Sequence, residues 1–338
     1  MTSEFERSGN DNAMRIVDLY CLLVLALGVS SARGQQVATA ENVRPTTKSA
    51  THATSGADLS LHRAVEAIDR VLIISIDGLR PDLLVRAQVP NVRALCAAGS
   101  YTFWAETTPE AYTLPCHVSM LTGVSAEKHG VTWNEYIEHS HPNVPTLFEI
   151  AKKAGYSTAM ATGKMKFIVF ARPGALDDFY YPHEEPVSDE EVAVHAAALL
   201  RKHRPNVMFV HLPGVDTVGH EFGWGTDEQI AATERADQAV GRIRETLSAL
   251  NLEASTLVIL TADHGGAEKS HEMLDPRSHF IPWIAVGPGV RKGFDLTRLG
   301  DRTIRIEDTF PTACAFLGLA PGNECQGRAV LEVLEPAN

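Results

Sequence analysis

Apolar positions follow two rhythms along the chain, and their alternation predicts most of the fold. The run V-L-I-I-S-I from Val71 is continuous and β-branched, and it stops at Asp77-Gly78. A run of that kind predicts a strand buried on both faces. Strand-like runs recur at 156–162, 206–213, 255–261 and 281–286. Between them the apolar spacing turns helical. Pro81 opens one helical segment, and residues 91–98 form another. Residues 144–154 keep helical spacing and stop at Gly155. Residues 188–203 begin at Ser188, with acids early and bases late, which suits both a cap and the helix dipole. Residues 226–250 predict a long amphipathic helix and 306–317 a last one. Strands alternating with helices predict a single α/β domain, a doubly wound, mostly parallel sheet with helices on both faces.

The first residues break this pattern. An apolar run from Leu19 to Val29 is too short to span a bilayer and is followed by Ser30, Ser31 and Ala32, so residues 1–32 predict an export signal. Residues 33–68 are rich in Ala, Thr, Ser and Gln without periodicity and predict a flexible leader; 69–338 is then the folded domain. The expectation is an exported protein, periplasmic or secreted, with no transmembrane segment after cleavage. A net charge of −12 argues against nucleic acid as the main partner. It leaves room for a small phosphorylated substrate, because a bound divalent metal reverses the local sign. Cys96, Cys116, Cys314 and Cys325 form no C-x-x-C pair, which argues against a cysteine zinc site. Cys314 and Cys325 either bridge a C-terminal loop or remain buried thiols.

In open α/β sheets ligands collect beyond the carboxyl ends of the strands. Asp77, Asp216, Asp263 and His264 all follow strand-like runs directly or within a few residues. Asp216 and His220 are four apart, so both can reach one cation from a single turn. Asp263-His264 is followed by two glycines, with His271 and His279 further on. Together these residues supply oxygen and nitrogen donors for two zinc-like ions with three protein ligands each. Thr113 lies between Pro109 and the periodic run Val118, Met120, Leu121, at or just before a helix start. There it serves as a cap, or as a hydroxyl beside an anion. A metal-coordinated hydroxyl loses its proton readily and becomes a nucleophile. Lys164 and Lys166 are two apart, and in an extended segment both ammonium groups point to one side. Gly163-Lys164-Met165 lacks the Ser or Thr of a nucleotide-binding P-loop.

The motifs S-I-D-G-L-R-P-D, T-x-P-x-H-x-S-M-L-T-G, H-G-V-x-W-N, V-D-x-x-G-H and A-D-H-G-G stand in this order from about residue 71. In that order they resemble the alkaline phosphatase superfamily, and within it the nucleotide pyrophosphatase and type I phosphodiesterase branch. The resemblance implies that Thr113 is a covalent nucleophile toward a metal held by Asp77, Asp263 and His264. It implies a second metal on Asp216, His220 and one further histidine, His271 being favoured over His279. Asn134 matches an asparagine that hydrogen-bonds a non-bridging phosphoryl oxygen. Lys164 and Lys166 resemble the lysine pair that phosphonoacetate hydrolases use for the substrate carboxylate. Cys116 stands where the branch often has Asn. A sulfatase is disfavoured, because Thr113 occupies the position of its modifiable Cys or Ser. The expected activity is two-metal hydrolysis of phosphodiester or pyrophosphate bonds through a phospho-threonine, with zinc as the expected metal. The alternative is a phosphonate or phosphate-monoester hydrolase on the same metals. A mutase would need phosphate-gripping arginines and an inserted domain. An inert binding protein on this fold would have lost ligands, and none of the six is missing.

Overall fold

A computed structural model describes residues 62–271, 275–300 and 302–336. The expected export signal and most of the expected leader lie outside the described residues. The strands are β1 Arg70–Ile76, β2 Ser100–Glu106, β3 Thr158–Thr162, β4 Asp178–Tyr180, β5 Val207–Leu212, β6 Thr256–Thr261, β7 Phe280–Val286 and β8 Phe294–Asp295. They form one sheet in the order β4-β3-β5-β1-β6-β7-β2-β8. Every neighbouring pair is parallel except those of β7, which runs antiparallel to both β6 and β2. The central strands β5 and β6 are buried at every position, and β1 at all but its first, as continuous apolar runs require.

The α-helices are α1 Pro81–Arg86, α2 Pro90–Ala98, α3 Thr113–Thr122, α4 Ala126–His129, α5 Leu147–Lys153, α6 Asp189–His203, α7 Gly214–Phe222, α8 Asp227–Ala249, α9 Pro276–His279 and α10 Thr309–Leu317. One layer is built around α8, which packs on α1, α2, α6 and α7, while α3 and α10 pack together in the other layer. Helices thus cover both faces, as a sheet with two apolar sides demands. The helix starts follow the cap chemistry. Ser188 and Thr226 accept from the backbone three residues on, and Thr146 forms a complete capping box with Glu149.

One boundary and three strands differ from the sequence expectation. Residues 64–68 belong to the domain, because Ala64 donates to the Ala315 carbonyl at 2.9 Å and Ile68 is fully buried in the core. Strands β2, β4 and β8 were not anticipated. The last two have three and two residues, too few to show any period. The antiparallel β7 has a positional consequence. Its first residues, and His279 before it, lie at the same sheet edge as the carboxyl ends of β1 and β6.

Candidate active site

Four parallel strands deliver polar side chains to that edge. Asp77 follows β1, Lys164 follows β3, Asp216 sits in the first turn of α7 after β5, and Asp263-His264 follow β6. The turn after β1 needs Gly78, whose φ is +70° and where a Cβ would meet the Asp216 Cα at 2.9 Å. Its N–H donates to Asp263 Oδ1 at 3.1 Å. Thr113 is the first residue of α3 and not its cap, since Tyr112 holds the extended cap position without a side-chain bond. The threonine hydroxyl is therefore not spent on the helix.

Asp77, Asp263 and His264 bring one donor atom each within 4.8 Å of one another. His264 Nε2 lies 3.5 Å from Asp77 Oδ1 and 3.2 Å from Asp263 Oδ2. Thr113 Oγ1 is 3.4 Å from the same nitrogen. Ligand atoms at the corners of a tetrahedron around zinc stand roughly 3.3–3.5 Å apart. Asp77 Oδ1 and Asp263 Oδ2 are buried without any hydrogen-bond partner. Such orphaned oxygens fit a cation, because leaving them bare is costly. His264 Nδ1 is 2.8 Å from the Gly265 carbonyl, which only accepts. Nδ1 therefore carries the proton, and Nε2 presents a lone pair to the group. Burial lowers the pKa of His264 and keeps the ring neutral.

A second group joins Asp216, His264 and His271 within the same 4.8 Å limit. His271 Nδ1 is buried without a partner, and burial lowers its pKa to about 4. His220 Nε2 stands 3.4 Å from Asp216 Oδ1, and its ring is 5.0 Å from that of His271. His279 is brought into neither group; its nitrogens face the carbonyls of Asp275 and Pro109 at 3.1 and 3.2 Å.

Lys164 has an extended backbone, but Lys166 does not. Residues 165–170 form a 3-10 helix, so the side chains diverge. Lys164 Nζ is 2.6 Å from Asp77 Oδ2 and 2.7 Å from Asp216 Oδ2. Burial opposes its charge, but Asp216 and Asp77 outweigh it and hold the ammonium above the usual lysine range. The same ion pair works on Asp77, whose burial is outweighed by Lys164 and then His211, so it stays ionised. Asp263 has no such partner, and burial followed by repulsion from Asp77 and Asp216 pushes its carboxyl well up. Lys166 turns instead to Asn134, donating to its O at 3.0 Å and its Oδ1 at 2.9 Å. Asn134 Oδ1 also accepts from Leu114 N–H at 2.9 Å, which places this amide at the start of α3 beside Thr113.

Several contributors were not anticipated. His211, within β5, lies 2.8 Å from Asp77 Oδ2 through Nε2, while its Nδ1 accepts from Gly163 N–H at 3.3 Å. The Gly163 donor puts the proton on Nε2, so His211 donates to Asp77. His117, one turn after Thr113, connects the Thr113 carbonyl to Ser75 Oγ at 2.7 and 2.8 Å. The available signal was a histidine inside an apolar strand or helix face, where packing alone gives no reason for it. Trp224 donates its indole N–H to the Gly78 carbonyl at 2.9 Å and fills the space that a Cβ on Gly266 would need. Cys116 is a packing residue: its Sγ meets the Thr107 and Thr108 hydroxyls at 3.3 and 3.2 Å, and burial pushes its pKa up to about 12. All four described cysteines are thiols, so Cys314 and Cys325 form no bridge.

The family pattern described as type I phosphodiesterase / nucleotide pyrophosphatase matches residues 71–281. The human ectonucleotide pyrophosphatase/phosphodiesterase family member 1 is 27% identical over 216 residues, covering 57% of this chain and 23% of that protein. A bis(5'-adenosyl)-triphosphatase of Xenopus laevis is 24% identical over 222 residues, covering 61% of this chain and 49% of its own. The chain therefore matches from about a quarter to a half of these curated relatives. Among solved structures, murine ectonucleotide pyrophosphatase / phosphodiesterase 5, an inactive variant in complex with AMP, superposes with a TM-score of 0.67. Its sequence identity is 16%, and the match covers 79% of this chain and 100% of that one. A 2-O GAG sulfatase gives 0.65 at 16% identity, covering 78% and 74%. Both share the alkaline phosphatase-like fold described above. With more than half of its length matching the family pattern, the chain belongs to the type I phosphodiesterase / nucleotide pyrophosphatase family.

Proposed function

We propose that this chain is a metal-dependent hydrolase of phosphodiester or pyrophosphate bonds that works through a covalent phospho-threonine. The observation that carries the reading is the 3.4 Å approach of Thr113 Oγ1 to His264 Nε2, beside two buried, unpartnered carboxylate oxygens. Asp77, Asp263 and His264 would hold one divalent ion, and Asp216, His220 and His271 a second; the oxygen and nitrogen donors suit zinc. Bound there, the ions would lower the pKa of the threonine hydroxyl and offset charge on the phosphoryl oxygens.

Thr113 Oγ1 gives up its proton to solvent and attacks phosphorus, the bond to the leaving group breaks, and the leaving oxygen departs with a proton from solvent. Water then attacks the phospho-threonine, returning the Thr113 hydroxyl and releasing the phosphoryl product. The N-terminus of α3 directs its dipole at the transferred group. Asn134 and Lys166, joined to each other beside the start of α3, would supply donors to the phosphoryl oxygens. Nucleotide substrates fit the AMP held by the murine neighbour. Export fits relatives that include a venom phosphodiesterase of Macrovipera lebetinus. Among the described residues no helix is long and apolar enough to cross a membrane.

A second reading, a phosphonate or phosphate-monoester hydrolase, is favoured by Lys166. Its ammonium donates to the neutral oxygens of Asn134 and so can answer an extra negative charge on the substrate. Rates on aryl monoesters, diesters, phosphonates and dinucleotides, repeated with Lys166→Ala, separate the two. A diester preference untouched by the substitution supports the first reading. The nucleophile is tested by Thr113→Ala, which is expected to abolish turnover and keep metal content; an active variant removes the threonine from the mechanism.

A further inference from the structure

We propose that Lys164 is a positioning residue that ties the two cation-binding groups together. Its ammonium holds Oδ2 of Asp77 and Oδ2 of Asp216 and leaves Oδ1 of each aspartate for an ion. The inference rests on the metal-site reading above and deepens it. The division of labour is the same at both carboxylates. Oδ2 is taken by Lys164 at 2.6 and 2.7 Å, whereas both Oδ1 atoms are buried without a hydrogen bond. Asp77 Oδ1 faces His264 Nε2 at 3.5 Å, and Asp216 Oδ1 faces His220 Nε2 at 3.4 Å. Asp77 and Asp216 belong to different donor groups, so one ammonium spans both.

The fold places the lysine for this role. β5 lies between β3 and β1 in the sheet, so Lys164, just beyond the end of β3, must cross the end of β5 to reach Asp77. It can do so because Gly163 packs against Pro213 at the entry to α7; a Cβ there would meet Pro213 Cγ at 2.3 Å. The Lys164 side chain is only 13% exposed, and its ammonium is already committed to two carboxylates. Two opposing effects follow for metal affinity. The ammonium repels an incoming cation, and it also fixes the carboxylates that would otherwise repel each other and rotate away. The free Oδ1 atoms decide for the second effect, because the lysine blocks neither donor.

The test uses the full chain stripped of metal and titrated with cobalt(II), followed by its absorption bands, and with zinc against a chromogenic chelator. Lys164→Met is expected to lose about 10- to 100-fold in affinity and to alter the cobalt band intensities. Lys164→Arg should recover most of the loss, because a guanidinium also donates to two carboxylates. Lys292→Met, at an exposed lysine outside both donor groups, should bind as the wild type does. Lys164→Met that binds as tightly as the wild type, or more tightly, overturns the proposal and makes the ammonium a bystander or a competitor. If that variant does not fold, Lys164→Gln takes its place: a loss supports the proposal, and wild-type affinity overturns it. A wild-type chain that takes up neither ion overturns the metal reading and this proposal together. Tight binding by the wild type with no effect of Lys164 overturns this proposal alone.

Discussion

At the scale of single residues, the site is governed by which oxygen or nitrogen of each side chain is already occupied. Asp77 divides its oxygens between the His211–Lys164 side and the orphaned Oδ1, and His264 spends Nδ1 on a carbonyl so that Nε2 stays bare. His211 is the hidden member of this arrangement. Its two bonds fix both its tautomer and the Asp77 rotamer. His211→Phe should leave the fold standing and weaken zinc binding by about 10- to 100-fold, as loss of an outer-sphere partner does. Chelator competition measures it, and unchanged affinity would sink the assignment. Asp77, Asp216 and Asp263 were legible in the sequence because each follows an apolar run. His211 and His117 were not, since a histidine inside such a run gives no sign of which atom it faces.

At the scale of elements, the site depends on how α7 is seated. Asp189, at the start of α6, is buried and accepts from Gly214 N–H at 2.8 Å, at the first residue of the helix that carries Asp216 and His220. Burial raises its pKa from 3.8 to about 6, with the Gly214 bond offsetting only part of the shift. The folded chain therefore holds this proton more tightly than the unfolded one. The contribution to stability is complete below about pH 4 and is lost as pH rises through about 6. The difference amounts to about 3 kcal/mol at neutral pH. Asp189→Asn keeps an acceptor for Gly214 without the ionisation. Its melting temperature relative to the wild type should rise between pH 4 and pH 7, and a difference independent of pH would contradict the account. The lysine segment carries a related lesson. The two-residue spacing puts both ammonium groups on one side only in an extended chain, and the 3-10 turn after Lys164 sends one to the aspartates and the other to Asn134.

At the scale of the whole molecule, the sheet edge gathers three buried aspartates and several neutral histidines around Lys164. Burying that much like charge is costly without cations, so metal should stabilise the fold as a linked ligand. Free ion at 100 times its dissociation constant corresponds to about 2.7 kcal/mol. Chelation should lower the melting temperature of the wild type and change that of Asp263→Asn much less. Equal melting curves with and without chelator would count against the ion-binding groups.

The sequence by itself determined the alternation of strands and helices, because burial on both faces of a parallel sheet imposes continuous apolar runs. It also put Asp77, Asp216, Asp263 and Thr113 at element ends, where turn chemistry is visible in neighbouring glycines and prolines. Tertiary structure alone decided what depends on through-space distance. That includes the sharing of His264 between both donor groups, the position of His279 outside them, the burial of Cys116 between two threonines, and the commitment of Lys164 to two aspartates. Local propensity acts over a few residues, whereas Lys164 meets Asp216 across 52 positions and His279 meets Pro109 across 170, separations that only sheet order and register bring together.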